Sequence, residues 1–198
     1  MKKEKTVIYS IGKAVGWMYF RLFCGVKMLG RENFPKDEHF IVMANHICAL
    51  DPVLLGVAYS GSEIHFMAKD SLFRNPLMKW VAEKVHAIPV RRGETDMAAM
   101  RSAMQVLREE KVLGIFPEGT RHRDGKMGEI QTGIAVLALK QNVSLIPVGI
   151  SGHYRPFGKL KISVGRPIDL DDLRALRPDA ETMAQVVERI REGIQKQM

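Results

Sequence analysis

His46 and Asp51 stand five residues apart in Asn45-His46-Ile47-Cys48-Ala49-Leu50-Asp51-Pro52, between an apolar run and a helix start. An imidazole backed by a carboxylate can take a proton from a hydroxyl near neutral pH, the carboxylate fixing the ring and stabilising its charged form. Spacing alone does not single the pair out, because His65 and Asp70 repeat it. Context separates the two. His65 lies inside Glu63-Ile64-His65-Phe66-Met67-Ala68, which reads as a strand in which a histidine is a half-buried filler. His46 follows Phe40-Ile41-Val42-Met43, a core-strand pattern, and Asp51 precedes Pro52 as an N-cap aspartate precedes a first-turn proline. A five-residue offset does not share a helix face, so the pair must meet across a strand-to-helix turn. A plainer assignment, Asp51 as a cap and His46 as a solvated turn residue, fits this segment equally well.

Two further loops carry chemistry that connectors do not need. Arg91-Arg92-Gly93 follows His86-Ala87-Ile88-Pro89-Val90 and sets two guanidiniums at a strand exit, where they can bind a phosphate through charge-assisted bonds. Phe116-Pro117-Glu118-Gly119-Thr120-Arg121 follows Val112-Leu113-Gly114-Ile115. There Glu118 offers an acceptor for hydroxyls, Arg121 a donor for an anion, and Gly119 lets backbone come close. Together these groups suit a polyol phosphate. Solvated surface arginines and a self-contained Glu118–Arg121 ion pair are the bland alternatives.

The elements that must position these loops alternate. Strands are expected around Phe40 to Met43, Ile64 to Ala68, His86 to Val90, Val112 to Phe116, Ser144 to Ile150 and Leu160 to Val164. Helices are expected over Pro52 to Tyr59, Pro76 to Lys84, Thr95 to Glu110, Ile134 to Lys140 and Glu181 to Gln195. Met97, Met100, Met104 and Leu107 recur at helical spacing and read as core. The pattern predicts an α/β layered domain with a largely parallel central sheet flanked by helices. In such sheets ligands collect at the loops leaving the strand ends.

At 198 residues and 46% hydrophobic content, the chain suits one sizeable core, with residues 1–28 as an N-terminal segment and 29–198 as the catalytic domain. Cys24 and Cys48 have neither metal-ligand nor redox spacing. The net charge of +8 and pI near 9.6 suggest nucleic acid or an anionic membrane. Lys2, Lys3, Lys5, Lys13, Arg21 and Lys27 face the single Glu4 before Leu29, interleaved with Val7, Ile8, Ile11, Val15, Trp17, Met18, Tyr19, Phe20, Leu22 and Phe23. That is the composition of an amphipathic membrane-docking helix, and it favours a membrane surface over nucleic acid. Lys13 and Arg21 make the run too short and too charged for a transmembrane span, and no signal-peptide cleavage pattern follows it. An ordinary helix packed on the domain is the alternative.

From Ile41 to Val148 the chain resembles the glycerolipid acyltransferase family, and within it the bacterial 1-acylglycerol-3-phosphate acyltransferases, in four ordered blocks. These are Asn45-His46 to Asp51-Pro52, Ala87-Ile88-Pro89-Val90-Arg91-Arg92, Phe116 to Arg121, and Val143-Ser144-Leu145-Ile146-Pro147-Val148. The resemblance implies His46 as general base for the free hydroxyl of lysophosphatidate, with Asp51 as its partner. It implies Arg91, Arg92, Glu118, Gly119, Thr120 and Arg121 as substrate-binding residues. The hydroxyl would attack an acyl carrier protein or coenzyme A thioester directly, with no metal or bound cofactor, at the cytoplasmic face of an anionic cell membrane. Phosphatidic acid would be the product. Cys48 stands where many relatives carry Ser, and Gln131 where they often carry Lys. Acylation of another lysophospholipid, thioester hydrolysis and non-catalytic lipid binding are the competing functions.

Overall fold

The computed structural model describes residues 7–36, 39–91 and 96–198. Helix α1 (Val7–Met18) continues as a π-helical turn, Tyr19–Phe23, before the short strand β1 (Lys27–Leu29). Strand β2 (Phe40–Ala44), helix α2 (Asp51–Ala58), strand β3 (Ile64–Lys69), helix α3 (Pro76–Lys84) and strand β4 (Ile88–Val90) follow. Helix α4 (Met97–Arg108), strand β5 (Val112–Ile115), helix α5 (Gly133–Lys140) and strands β6 (Ser144–Ser151) and β7 (Lys161–Val164) come next. The chain closes with α6 (Asp171–Arg174) and α7 (Ala180–Gln195).

The strands form one sheet in the order β1-β7-β6-β2-β5-β3-β4. β2 sits near its centre because all five of its residues are apolar, and alternation sends them to opposite faces. Phe40, Val42 and Ala44 join one core with Leu54 and Leu55 of α2, while Ile41 and Met43 join a second with residues of α4, α5 and α7. Neighbours pair in parallel except β6 with β7. Only residues 152–160 join those two strands, too few for a parallel crossover, so β7 returns as a hairpin. The expected layered α/β fold is therefore present, with β1 and β7 running against the rest.

Topology decides where the loops meet. From β2 the chain crosses beyond β5 to β3 through α2 on one face, and from β5 it crosses back beyond β2 to β6 through α5 on the other. The helices that follow β2 and β5 thus lie on opposite faces, and the loops leaving these adjacent strands meet at their carboxyl ends, the switch point at which such sheets place ligands. One loop carries His46 and the other Phe116 to Arg121.

The boundary expected between residues 28 and 29 falls within β1, which pairs with β7 from Lys27 to Leu29. Upstream, Phe20, Cys24 and Val26 are already buried in the core. α1 lies on α2, where Gly16 lets Val53 and Val57 approach so closely that a Cβ would sit 2.9 Å from Val53 Cγ1. Lys13 donates to the Tyr59 carbonyl on that packed side, and the Ile64 N–H donates to Tyr9 Oη at 3.3 Å. The opposite face of the segment exposes Val7, Ile11, Val15, Met18 and Leu22, an apolar stripe at helical spacing, with Trp17 and Phe23 beside it. No helix among the described residues is long and apolar enough to cross a membrane. Lys2, Lys3 and Lys5 lie outside the described residues.

His65 takes the half-buried place in β3 expected of it. Burial first, then the neighbouring His86 and the Lys111 ammonium, push its pKa down to about 4. The imidazole is neutral in the folded and unfolded states at pH 7. As pH falls through 6.5 the unfolded chain takes up a proton that the folded protein refuses until about pH 4, so folding stability drains across that window. Denaturant midpoints should fall more steeply between pH 6.5 and 4 in the wild type than in His65→Gln. Parallel curves would place the titration elsewhere.

Candidate active site

The site begins where β2 ends. Asn45 is buried there, and its side chain imitates a peptide group: Nδ2 donates to the Ile150 carbonyl at 2.8 Å and Oδ1 accepts the Ile150 N–H at 2.7 Å. This two-way bond ties the exit of β2 to β6 and fixes the start of the turn that carries His46. His46 Nδ1 then lies 2.7 Å from Asp51 Oδ2. A carboxylate only accepts, so the shared proton belongs to Nδ1, and Nε2 is left as the basic nitrogen. The imidazole side chain is 16% exposed and within reach of a substrate, whereas Asp51 is fully buried.

A buried charge needs partners, and Asp51 has four donors. Oδ2 also accepts the N–H groups of Ile47 at 2.7 Å and Cys48 at 2.8 Å, while Oδ1 accepts the hydroxyl of Tyr154. The sequence pattern predicted Asp51 at the N-cap of α2 with Pro52 first in the helix. Instead Leu50 occupies the N-cap and Asp51 is the first helical residue, because its carboxylate turns back onto the preceding amides rather than forward onto those of the helix. It still gains from the positive end of the helix dipole.

The β5 loop grips the backbone of His46. Glu118, also buried, accepts the His46 N–H through Oε1 at 2.8 Å and the Gly128 N–H through Oε2 at 2.6 Å. The His122 N–H donates to the His46 carbonyl at 2.7 Å, and its Nε2 lies 3.5 Å from Glu118 Oε2. Glu118 was expected to accept hydroxyls of a bound polyol or to pair with Arg121; its observed partners are backbone amides and His122. The ring of His46 stacks on Phe116 at 4.2 Å, and Phe116 on Phe66 at 5.8 Å. Phe66 in turn packs against Gly114, where any Cβ would come within 2.4 Å of the ring. Gly114 is thus the floor of a column that ends in the imidazole.

Of the other expected residues, Gly119 takes a left-handed φ of +64° in the turn closed by its N–H on the Phe116 carbonyl. Thr120 and Arg121 follow it, exposed. Arg91 is exposed beyond β4, its N–H on Asp96, the cap of α4, at 2.8 Å. Arg92 lies outside the described residues. Among the described residues no group of three or more His, Cys, Asp or Glu side chains is arranged to hold a metal ion. Sequence reasoning missed Tyr154. Its only signal was position, an amphipathic aromatic just past a core strand whose exit loop joins the same end of the sheet. Burial and the Asp51 charge push its phenol pKa upward, so it stays a donor.

At the carboxyl ends of β2 and β5 the structure thus presents a carboxylate-backed, partly exposed imidazole. A model of the acyltransferase family matches residues 25–151, more than half of the chain. The chain belongs to that family. Among its relatives, the 1-acyl-sn-glycerol-3-phosphate acyltransferase of Bacillus subtilis is 31% identical over 180 residues, which cover 87% of each chain. The protein of the same name from Borreliella burgdorferi is 38% identical over 128 residues, 63% of this chain and 51% of that one. The crystal structure of the 1-acyl-sn-glycerophosphate acyltransferase PlsC from Thermotoga maritima superposes with a TM-score of 0.72 at 26% identity, covering 96% of this chain and 79% of that one.

Tyr154→Phe removes one donor from Asp51 and leaves the ring packing in place. Hydrogen bonds to charged groups contribute roughly 1.5–3 kcal/mol, so turnover should fall by roughly ten- to a hundredfold with the far-UV spectrum unchanged. Wild-type kcat in that variant would remove Tyr154 from the machinery.

Proposed function

We propose that the protein transfers a fatty acyl group from an acyl thioester to the free hydroxyl of 1-acylglycerol 3-phosphate, giving phosphatidic acid for phospholipid synthesis at a membrane surface. The observation that carries this is the His46–Asp51 pair, 2.7 Å apart with the carboxylate buried and held by three further donors, in a chain of the acyltransferase family. Nε2 of His46 takes the hydroxyl proton as the oxygen attacks the thioester carbonyl. The tetrahedral adduct collapses, the C–S bond breaks, and the imidazolium returns the proton to the departing thiolate. Asp51 keeps the tautomer and stabilises the imidazolium between the two steps. The acyl group passes straight to the acceptor, so the reading needs no acyl-enzyme, metal or bound cofactor.

Arg91, Arg92 and Arg121 are the cations assigned to the substrate phosphate, with Gly119 and Thr120 bringing loop backbone and a hydroxyl to the glycerol. Glu118 serves this scheme by fixing the His46 backbone. Coenzyme A and acyl carrier protein end in the same phosphopantetheine arm, and either thioester suits the chemistry. The exposed stripe of α1 and its continuation supports docking on an anionic bilayer, peripheral or monotopic and on the cytoplasmic side, where both substrates meet.

The test is acyl transfer from a labelled thioester to lysophosphatidate in anionic vesicles. His46→Ala should abolish phosphatidate formation, at least a thousandfold in order of magnitude, while His65→Ala keeps it. Free fatty acid as the main product would turn the assignment to a hydrolase, and full activity in His46→Ala would remove the base. Arg121→Ala should raise the KM for lysophosphatidate more than it lowers kcat, since a phosphate contact made equally in ground and transition states is uniform binding. An unchanged KM would take Arg121 out of the phosphate site.

A further inference from the structure

The hairpin between β6 and β7 ends in a feature that packing does not explain. Phe157 is 97% exposed, and it holds a left-handed φ of +58°. Bulky residues avoid that region, and the third position of such a turn ordinarily goes to Gly or Asn. The turn around it is nonetheless well built. The Gly158 N–H closes Arg155-Pro156-Phe157-Gly158 on the Arg155 carbonyl at 3.0 Å, with Pro156 at the position that favours its fixed φ, and the His153 N–H bonds the Gly158 carbonyl at 2.8 Å. At its base Gly152 and Gly158 allow backbone contacts that a Cβ would block, 2.3 Å from the Lys159 oxygen and 2.2 Å from the His153 oxygen. A rigid tip therefore holds a phenyl ring out in solvent, flanked by the exposed cations Arg155 and Lys159.

The foot of the turn packs against the N-terminal segment. Tyr154, at the foot of the turn, packs edge-on against Phe20 at 5.9 Å, and Tyr19 Oη donates to the Tyr154 carbonyl at 3.4 Å. Tyr19 stacks on Phe23, which with Met18 and Leu22 belongs to the exposed surface. An aromatic wedge between two cations, beside an exposed apolar helix, matches an anionic bilayer in both charge and polarity.

We propose that the turn from Tyr154 to Lys159 is a second membrane-inserting element. Phe157 enters the acyl-chain region, Arg155 and Lys159 meet lipid phosphates, and the N-terminal segment docks beside it. This rests on the reading that the enzyme works on a bilayer. Two points of attachment fix the orientation of the His46 site to the membrane, which one helix lying in the interface would leave free to roll.

The test uses the full chain and vesicles of phosphatidylcholine with phosphatidylglycerol. Phe157 has no packing to lose, so Phe157→Ala should fold as the wild type and bind the vesicles about tenfold more weakly, the fold-change expected from withdrawing one aromatic ring from an apolar phase. Arg155→Gln and Lys159→Gln should each weaken binding about fivefold, an effect that vanishes on pure phosphatidylcholine. Phe157→Trp should add emission that is blue-shifted and quenched by brominated acyl chains, above the background of Trp17 and Trp80. Turnover of a monomeric short-chain lysophosphatidate should not change in Phe157→Ala. If the wild type binds and Phe157→Ala binds equally, with no added quenching in Phe157→Trp, the inference fails alone. If the wild type itself ignores the vesicles, the membrane reading fails with it. Loss of turnover with a carrier-protein thioester, at unchanged vesicle binding, would overturn the inference in favour of a protein-docking tip.

Discussion

The burial of the Asp51 carboxylate is the constraint to which the rest of the site answers. Taking such a group out of water costs several kcal/mol, recovered only if donors meet it inside. Asp51 meets four, from His46, Ile47, Cys48 and Tyr154. Three come from the turn that links β2 to α2, and the fourth from the loop leaving β6. A turn that loosened would strand a charge in the interior, so the energy that folds this segment is the same energy that orients the imidazole. Precision at the base is thus a by-product of an electrostatic necessity, and it needs no rigid secondary structure at His46 itself.

A second buried carboxylate does complementary work. Glu118 holds the main chain of His46 while Asp51 holds its ring, and the His122 amide closes the remaining side by donating to the His46 carbonyl. The column of Gly114, Phe66 and Phe116 then limits ring motion on one face by contact alone. Two loops at a switch in strand order, each with an acid pointing inward, produce a histidine whose single unconstrained atom of consequence is Nε2.

Much of this was legible in the sequence because it follows from pattern. Strand-to-helix alternation gave the layers, and apolar runs such as Phe40 to Met43 gave the strands that are covered on both faces. His46 and Asp51 stood out through their place between a core strand and a helix. What was not legible depends on long-range geometry. Asp51 reads as a cap because residue type alone does not tell a carboxylate turned forward onto helix amides from one turned back onto Ile47 and Cys48, and the donor that meets its second oxygen, Tyr154, lies about a hundred residues away. Glu118 reads as a substrate group because its carboxylate offers an acceptor for hydroxyls, and nothing local reveals that His46 and Gly128 turn their amides onto it. The direction of β7 is fixed by the length of a hairpin, and β1 is too short to show a period.

The N-terminal segment shows why charge and hydropathy alone misassign sides. Lys13 looked like a residue snorkelling toward lipid, yet it bonds the Tyr59 carbonyl on the packed face, and Phe20, one aromatic among several, is the one that enters the core. The exposed stripe runs along the other side. That stripe stands close behind the site, because Phe20 touches Tyr154 and Tyr154 bonds Asp51. The free hydroxyl of a lysophospholipid lies at the boundary between acyl chains and headgroups. A base reached from that boundary has no need of a deep channel for the glycerol; it needs to stand one or two side chains behind the docking face. On the proposed reading, the short path from the N-terminal helix through Phe20, Tyr154 and Asp51 to His46 is what sets that depth, and removing the segment wholesale would open the core as well as release the membrane.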